Sequence, residues 1–161
     1  MSATYHLRRK DKEISAPEEV LGILERGKYT CIAMCRDNEP YIVTLSYGFD
    51  PEERALYCHC AQEGLKIAFL ESNPRVCGTV IEDTGYRMGQ CEQGYRSVVY
   101  RAEMSVVTDI ETKRYGLGVL LDHLEEDSSR LKSKYFSNQE ALTKVCVLKL
   151  SISEATGKED A

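Results

Sequence analysis

The residues that first offer chemistry are His59 and Lys66, with Gly64 between them. His59 falls near the end of a β-rich run, Ala55 to Cys60, and Lys66 falls at the expected start of a short helix. A helix N-terminus presents unpaired N–H groups and a partial positive charge, so one lysine beside it suffices to hold a phosphate. An imidazole titrates near neutrality and can hold or pass a proton. Each residue also has a plainer reading: His59 as a hydrogen-bonded histidine at a strand end, Lys66 as a solvated helix lysine.

The other chemically active residues converge less well. In Cys58-His59-Cys60, strand alternation puts the two thiols on one face and the imidazole on the other, so the three cannot meet on one metal ion. Cys31 and Cys35 are also strand-spaced, and no C-x-x-C pair occurs. Thr156-Gly157-Lys158 lacks the preceding glycine loop of a phosphate-binding P-loop, and Gly116-Leu117-Gly118 lacks a third glycine. His6 and His123 sit in an N-terminal arm and on a helix, where solvated side chains are expected. Asp83, Asp109 and Asp122 fall on turns and charged faces, so neither a hydrolytic triad nor paired-carboxylate catalysis is motivated.

The elements that must position these residues can be read in order. Residues 1–14 form an arm whose basic residues Arg8, Arg9, Lys10 and Lys12 are interleaved with Asp11 and Glu13. Ser15-Ala16-Pro17-Glu18 reads as a capping box, followed by a helix over 16–26. Strands are expected at Tyr29 to Cys35, Tyr41 to Tyr47 and Ala55 to Cys60, joined as hairpins. A helix then runs to Asn73-Pro74, where the proline stops it. A fourth strand covers Arg75 to Ile81. The glycine-rich stretch Glu82 to Tyr95 reads as a long excursion of a kind often found at functional sites and interfaces. Ser97 to Thr108 is a fifth strand, 111–125 a helix, Glu125 to Tyr135 an irregular charged stretch, and Ser137-Asn138-Gln139-Glu140 a second capping box. Val145 to Ile152 is the sixth strand. The domain therefore spans 15–156, with a frayed tail over 157–161.

Six strands joined mostly by hairpins, with helices before, between and after, predict a mainly β fold: a closed or half-closed antiparallel barrel with flanking helices. At 161 residues the chain can bury a core as one domain. A net charge of −5 with mixed signs throughout argues against a nucleic-acid surface. No leader-like apolar segment or long apolar run is present, so a cytoplasmic protein is expected, and of the seven cysteines Cys31, Cys35, Cys58, Cys60, Cys77 and Cys146 sit in apolar, strand-like surroundings and read as buried thiols in a reducing compartment.

Taken together, several motifs resemble the FMN-binding split-barrel superfamily. They are Pro40 with Tyr41 to Tyr47, Leu56-Tyr57-Cys58-His59, Glu63-Gly64-Leu65-Lys66 with Leu70 and Asn73-Pro74, and Tyr95-Arg96-Ser97-Val98-Val99. The Lys66-x3-Leu70-x2-Asn73-Pro74 spacing is similar to the phosphate-binding helix of pyridoxamine 5′-phosphate oxidase. His59 and Thr156-Gly157-Lys158 are most similar to the nitroimidazole-resistance proteins, also called 5-nitroimidazole reductases.

The resemblance implies a six-stranded split β-barrel and a homodimer with FMN at the subunit interface. It implies that Val43, Thr44, Leu45 and Ser46 line the flavin, that the backbone of His59 and Cys60 meets its ring, that Leu65 and Lys66 take the phosphate, and that Ser97 and Val98 complete the site. His59 would hold the catalytic role in an FMN-dependent oxidoreductase acting on a small-molecule electron acceptor. No cation stands among Val43 to Ser46, which separates the chain from pyridoxamine phosphate oxidation. The rival expectations are a flavin-binding protein without an enzymatic role and a haem-binding split barrel with histidine ligation.

Overall fold

A computed structural model describes residues 7–160. The short strand β1 (Glu13–Ile14) leads into helix α1 (Pro17–Arg26). Strands β2 (Tyr29–Arg36), β3 (Glu39–Ser46), β4 (Gly48–Asp50) and β5 (Ala55–Cys60) follow, then helix α2 (Leu65–Ser72) and the long strands β6 (Arg75–Arg87) and β7 (Glu92–Val106). Helices α3 (Ile110–Leu124), α4 (Ser129–Phe136) and α5 (Gln139–Lys144) precede the last strand, β8 (Cys146–Asp160).

All strand pairing is antiparallel, in a single sheet ordered β3-β2-β6-β7-β8-β5-β4, with β1 joined to β8. The sheet curls until β3 approaches β5, but the two share no hydrogen-bonded ladder. The result is an antiparallel barrel left split along β3. Among the described residues eight strands stand where six were expected. The run Tyr41 to Tyr47 breaks at Tyr47 so that β4 can turn inward, and the arm contributes β1. Asp37 and Asn38 both have positive φ, giving the two-residue turn whose twist suits the β2–β3 hairpin.

Apolar residues alternate along these strands because one face of each closes on the barrel interior. Ile32, Met34, Leu56, Cys58, Val76, Val80, Val98, Tyr100, Leu148 and Leu150 fill it, covered at one end by Ile23 and Leu24 of α1 and at another by Phe69 and Leu70 of α2. The buried tyrosine hydroxyls are all partnered. Tyr47 donates to the Leu24 carbonyl at 2.7 Å and Tyr100 shares a hydrogen bond with Thr30 Oγ1 at 2.8 Å. Leaving such a group unpaired would cost about 1–3 kcal/mol. A second cluster lies outside the barrel, where Ala55, Tyr57 and Val147 meet Leu117 and Val119 of α3. Glycine permits this close approach: a Cβ on Gly116 would sit 2.4 Å from the Tyr57 ring, and one on Gly48 would sit 2.5 Å from the α3 backbone at Leu120.

Several local expectations are revised. Residues 82–95 form no loose excursion; β6 and β7 continue through them as a two-stranded ribbon, with a register shift at Asp83/Gly85 and Asp83 Oδ1 accepting from the Gly85 N–H at 2.8 Å. Their polarity reflects solvent on both sides of the ribbon. Residues 157–160 are not frayed, because β8 pairs there with β7 and with Glu13–Ile14, and Lys12 bridges to Asp160. The charged stretch after residue 125 holds α4, whose Leu131 and Tyr135 occupy one face at helical spacing.

Helix caps differ too. Ala16, not Ser15, occupies the N-cap of α1 and makes no side-chain cap. Asn138 caps α5 by accepting from the Ala141 N–H, while Glu140 pairs with Lys144 and does not reach back. Asp109 caps α3 through the Thr112 N–H. Of the cysteines expected inside, Cys58 and Cys146 are buried, Cys31, Cys60 and Cys77 are half-buried, and Cys35 is exposed near the β2–β3 turn. No helix among the described residues is long and apolar enough to cross a membrane.

Candidate functional site

The split between β3 and β5 is the feature around which most of the expected site residues gather. β3 is a terminal strand of the sheet, paired along one edge with β2. Its other edge faces the split, and such an edge offers N–H and C=O groups to a ligand. Val43 and Leu45 are half-buried against the barrel core, whereas Thr44 and Ser46 face outward. Thr44 Oγ1 lies 3.2 Å from Cys31 Sγ on that outer face.

β5 ends at Cys60, and α2 opens five residues later. Gly64 has φ +129°, a backbone conformation open to glycine and strained for other residues, and its carbonyl accepts from the Ile67 and Ala68 N–H groups. Since no side chain caps this helix, the N–H groups of Leu65 and Lys66 lack an intrahelical acceptor and point out of the first turn. Leu65 is exposed and Lys66 half-buried. Burial, together with the neighbouring Cys146, pushes the Cys60 thiol up to about 11, and the Lys66 ammonium opposes that shift. Lys66, Cys60 and Cys146 thus form one electrostatic neighbourhood where β5 meets α2.

The other end of α2 is fixed to β2 and β3. Asn73 donates from Nδ2 to the Cys35 carbonyl at 3.0 Å and accepts from the Arg75 N–H at 3.1 Å. Tyr41 packs on Phe69 with ring centroids 5.0 Å apart, and the Arg36 guanidinium lies over the same ring. The Asn73-Pro74 signature therefore fixes the C-terminal end of the helix whose first turn follows β5.

His59 occupies a different compartment from Cys60. Strand alternation turns its side chain away from the barrel, with Ala55 and Tyr57, toward the helices. There it lines a cavity of about 420 Å³ whose walls include Leu117, Leu121, Leu124, Leu131, Tyr135 and Phe136. The leucines of α3 were legible from the sequence as one helix face, but the contribution of α4 was not. The Leu131/Tyr135 spacing is the signal that could have shown it.

Ser97 and Val98 do not join the other residues within one chain. They lie on β7, separated from β3 by β2 and β6 and from β5 by β8. Val98 is fully buried in the barrel, and Ser97 Oγ is directed to the Lys158 carbonyl at 3.5 Å. His123, expected to be solvated, is half-buried: its Nε2 lies 2.5 Å from the Gly27 carbonyl and its Nδ1 accepts from the Phe49 N–H at 3.4 Å. It is a structural tie between α3 and the α1–β2 junction. His6 lies outside the described residues.

Comparisons with known proteins agree with this architecture. An uncharacterized protein of Rhizobium meliloti is 35% identical over 69 residues, a match that spans 43% of this chain and 44% of that protein. A candidate 5-nitroimidazole antibiotic resistance protein from Bacteroides thetaiotaomicron superposes with a TM-score of 0.76 at 24% identity, covering 92% of this chain and 90% of its own. A flavocytochrome from Azotobacter vinelandii superposes with a TM-score of 0.80 at 18% identity, covering 100% of this chain and 75% of its own. The sequence pattern of the pyridoxamine 5′-phosphate oxidase family matches residues 16–159, and the chain belongs to that family.

Proposed function

We propose that the protein binds FMN in the split between β3 and β5 and works as an FMN-dependent oxidoreductase on a small electron acceptor. The observation that carries this reading is the uncapped first turn of α2, whose Leu65 and Lys66 N–H groups and Lys66 ammonium follow the end of β5, together with the unpaired edge of β3 across the split from β5. That donor set fits a phosphate monoester attached to a flat heterocycle with hydrogen-bonding edges. Family membership and the flavocytochrome neighbour support a flavin as the heterocycle.

In this reading Lys66 holds the phosphate and the β3 backbone over Val43 to Ser46 aligns the ring. The backbone at His59 and Cys60 closes the far side. The flavin, when bound, supplies the electron or hydride transfer, while the chain supplies binding, orientation and exclusion of water. The imidazole of His59, on the outer side of β5, is the group available to donate to or accept from an acceptor molecule that enters from the helices.

A homodimer belongs to the same proposal. The outward face of β2, β3 and β6 carries Tyr29, Cys31, Ala33, Ile42, Thr44, Thr79 and Ile81 at its centre, with charges at the two ends of its β6 row, Arg75 and Asp83. A face of that character is suited to a second copy, and a second copy is what could bring Ser97 near an FMN held by α2. The test is an absorption spectrum of the purified protein after addition of FMN and removal of the excess. Retained bands near roughly 370 and 450 nm support the flavin reading. A folded protein that retains none removes it.

A further inference from the structure

The cavity on the helical side of β5 is not used by the flavin reading beyond the His59 imidazole. Its walls are leucine and aromatic side chains, and its polar groups are His59, the Glu125 carboxylate and the Tyr135 hydroxyl. A volume of about 420 Å³ lies in the range of small-molecule sites, which are apolar with a few polar groups that fix orientation. Among the described residues no lysine or arginine lines it and Glu125 would repel an anion, while the predominantly leucine and aromatic walls make desolvating any charged group costly, so the chemistry favours an uncharged occupant. Phe136 and Tyr135 offer ring faces and edges to an aromatic one. The His59 side chain makes no hydrogen bond or ion pair within the described residues, so its imidazole is free to meet a polar group.

We propose that this cavity binds an uncharged aromatic molecule of one or two rings, whose hydroxyl-type polar group is hydrogen-bonded by His59. The site is separate from the α2 phosphate cradle, since β5 turns His59 and Cys60 to opposite faces. Its existence does not depend on a flavin being bound.

The test compares 2-naphthol with naphthalene, each titrated calorimetrically into the full chain both stripped of flavin and saturated with FMN. The expected result is saturable binding of one molecule per chain, with 2-naphthol bound about 2- to 12-fold more tightly, the worth of one hydrogen bond. His59→Leu should erase that preference while keeping naphthalene binding. Ala141→Trp should fill the cavity and abolish both; if that variant does not fold, Leu124→Glu at the wall serves in its place. Absence of saturable binding, equal affinity for the two probes, or undiminished binding in the folded filled variant overturns the proposal. Displacement of 2-naphthol by FMN also overturns it, because the cavity would then be part of the flavin site. Added hemin that gives a Soret shift lost in His59→Leu overturns it in favour of a haem site. If FMN is not retained but 2-naphthol binds as described, the flavin reading fails and this one stands.

Discussion

His59 and Cys60 are consecutive residues whose side chains belong to different compartments: Cys60 packs against the barrel core beside Cys146, and His59 lines the cavity beneath α3, α4 and α5. One strand therefore separates the side proposed for the cofactor from the cavity under the helices, with only a peptide bond between the two residues. In the proposed enzyme this divides binding from turnover.

The first prediction follows from that division. His59→Ala removes a side chain that does not face the split, so FMN retention should remain within about twofold of wild type. Turnover should fall by about 10²-fold or more, the usual worth of a positioned acid or base. Stopped-flow reoxidation of the dithionite-reduced protein by a nitroaromatic measures it. A variant that reoxidises as fast as wild type would exclude a catalytic role for His59.

Lys66 should act in the opposite sense. Replacing it by Met keeps the length and apolar stem but removes the charge at the α2 start, and a hydrogen bond to a charged group is worth about 1.5–3 kcal/mol. FMN affinity should fall about 10- to 100-fold, whereas riboflavin, which has no phosphate, should bind equally to both proteins. An equal loss for FMN and riboflavin would place the lysine away from the phosphate.

These assignments also show how much was legible in the sequence. The barrel strands were readable because each buries one face, and period-two alternation survives in residues such as Ile32/Met34 and Leu148/Leu150. The Asn73-Pro74 stop and the Gly64 helix start were readable from local backbone chemistry. Residues 82–95 were not, because a ribbon wet on both sides carries no apolar alternation to mark it. Nor was the tail 157–160, which is held by its pairing with residues more than fifty positions away in the chain and leaves no local trace. The position of Val98 inside the barrel needs the strand order, which no local pattern encodes.

The outward face of β2, β3 and β6 gives a third prediction. Ile42 is 66% exposed on it, so Ile42→Arg should leave the fold intact and place a charge where a second copy would have to bury it. Light scattering should then report the 18.2 kDa monomer in place of twice that mass, with FMN retention lost in parallel. A wild-type protein that scatters as a monomer would sink the interface site, and a monomeric variant that still retains FMN would show that one chain suffices.

Gly116 supplies a test of the helix packing itself. A methyl group there would lie 2.4 Å from Tyr57 Cδ1, and that ring is held by its hydroxyl donating to Glu53 Oε2 at 2.5 Å and by Tyr115 packed edge-on. The ring cannot yield without breaking those contacts. Gly116→Ala should therefore destabilise by about 1–3 kcal/mol, as overpacking does, despite alanine's better helix propensity. Denaturant midpoints at constant slope measure it, and a stabilised variant would show that α3 can shift outward at little cost.

The last prediction concerns pH. Burial holds His123 below its ordinary value, and the Lys28 ammonium adds to that; the hydrogen bond to the Gly27 carbonyl and the more distant Glu25 carboxylate oppose it. Lys28 itself donates to the His123 carbonyl at 2.5 Å, and the Tyr47 ring packs on the imidazole at 5.0 Å. Because Nδ1 accepts from the Phe49 N–H, the neutral form fits and the imidazolium would lose that bond. The unfolded chain therefore binds the proton more tightly than the folded one. The stability from this residue is fully present above the unfolded value of about 6.5, drains as pH falls through it, and is gone below the lowered folded value. Urea midpoints between pH 7.5 and 5 should fall for wild type, and His123→Leu should remove that part of the slope while lowering stability at pH 7.5. An unchanged slope in a folded His123→Leu protein would assign the acid sensitivity to other groups.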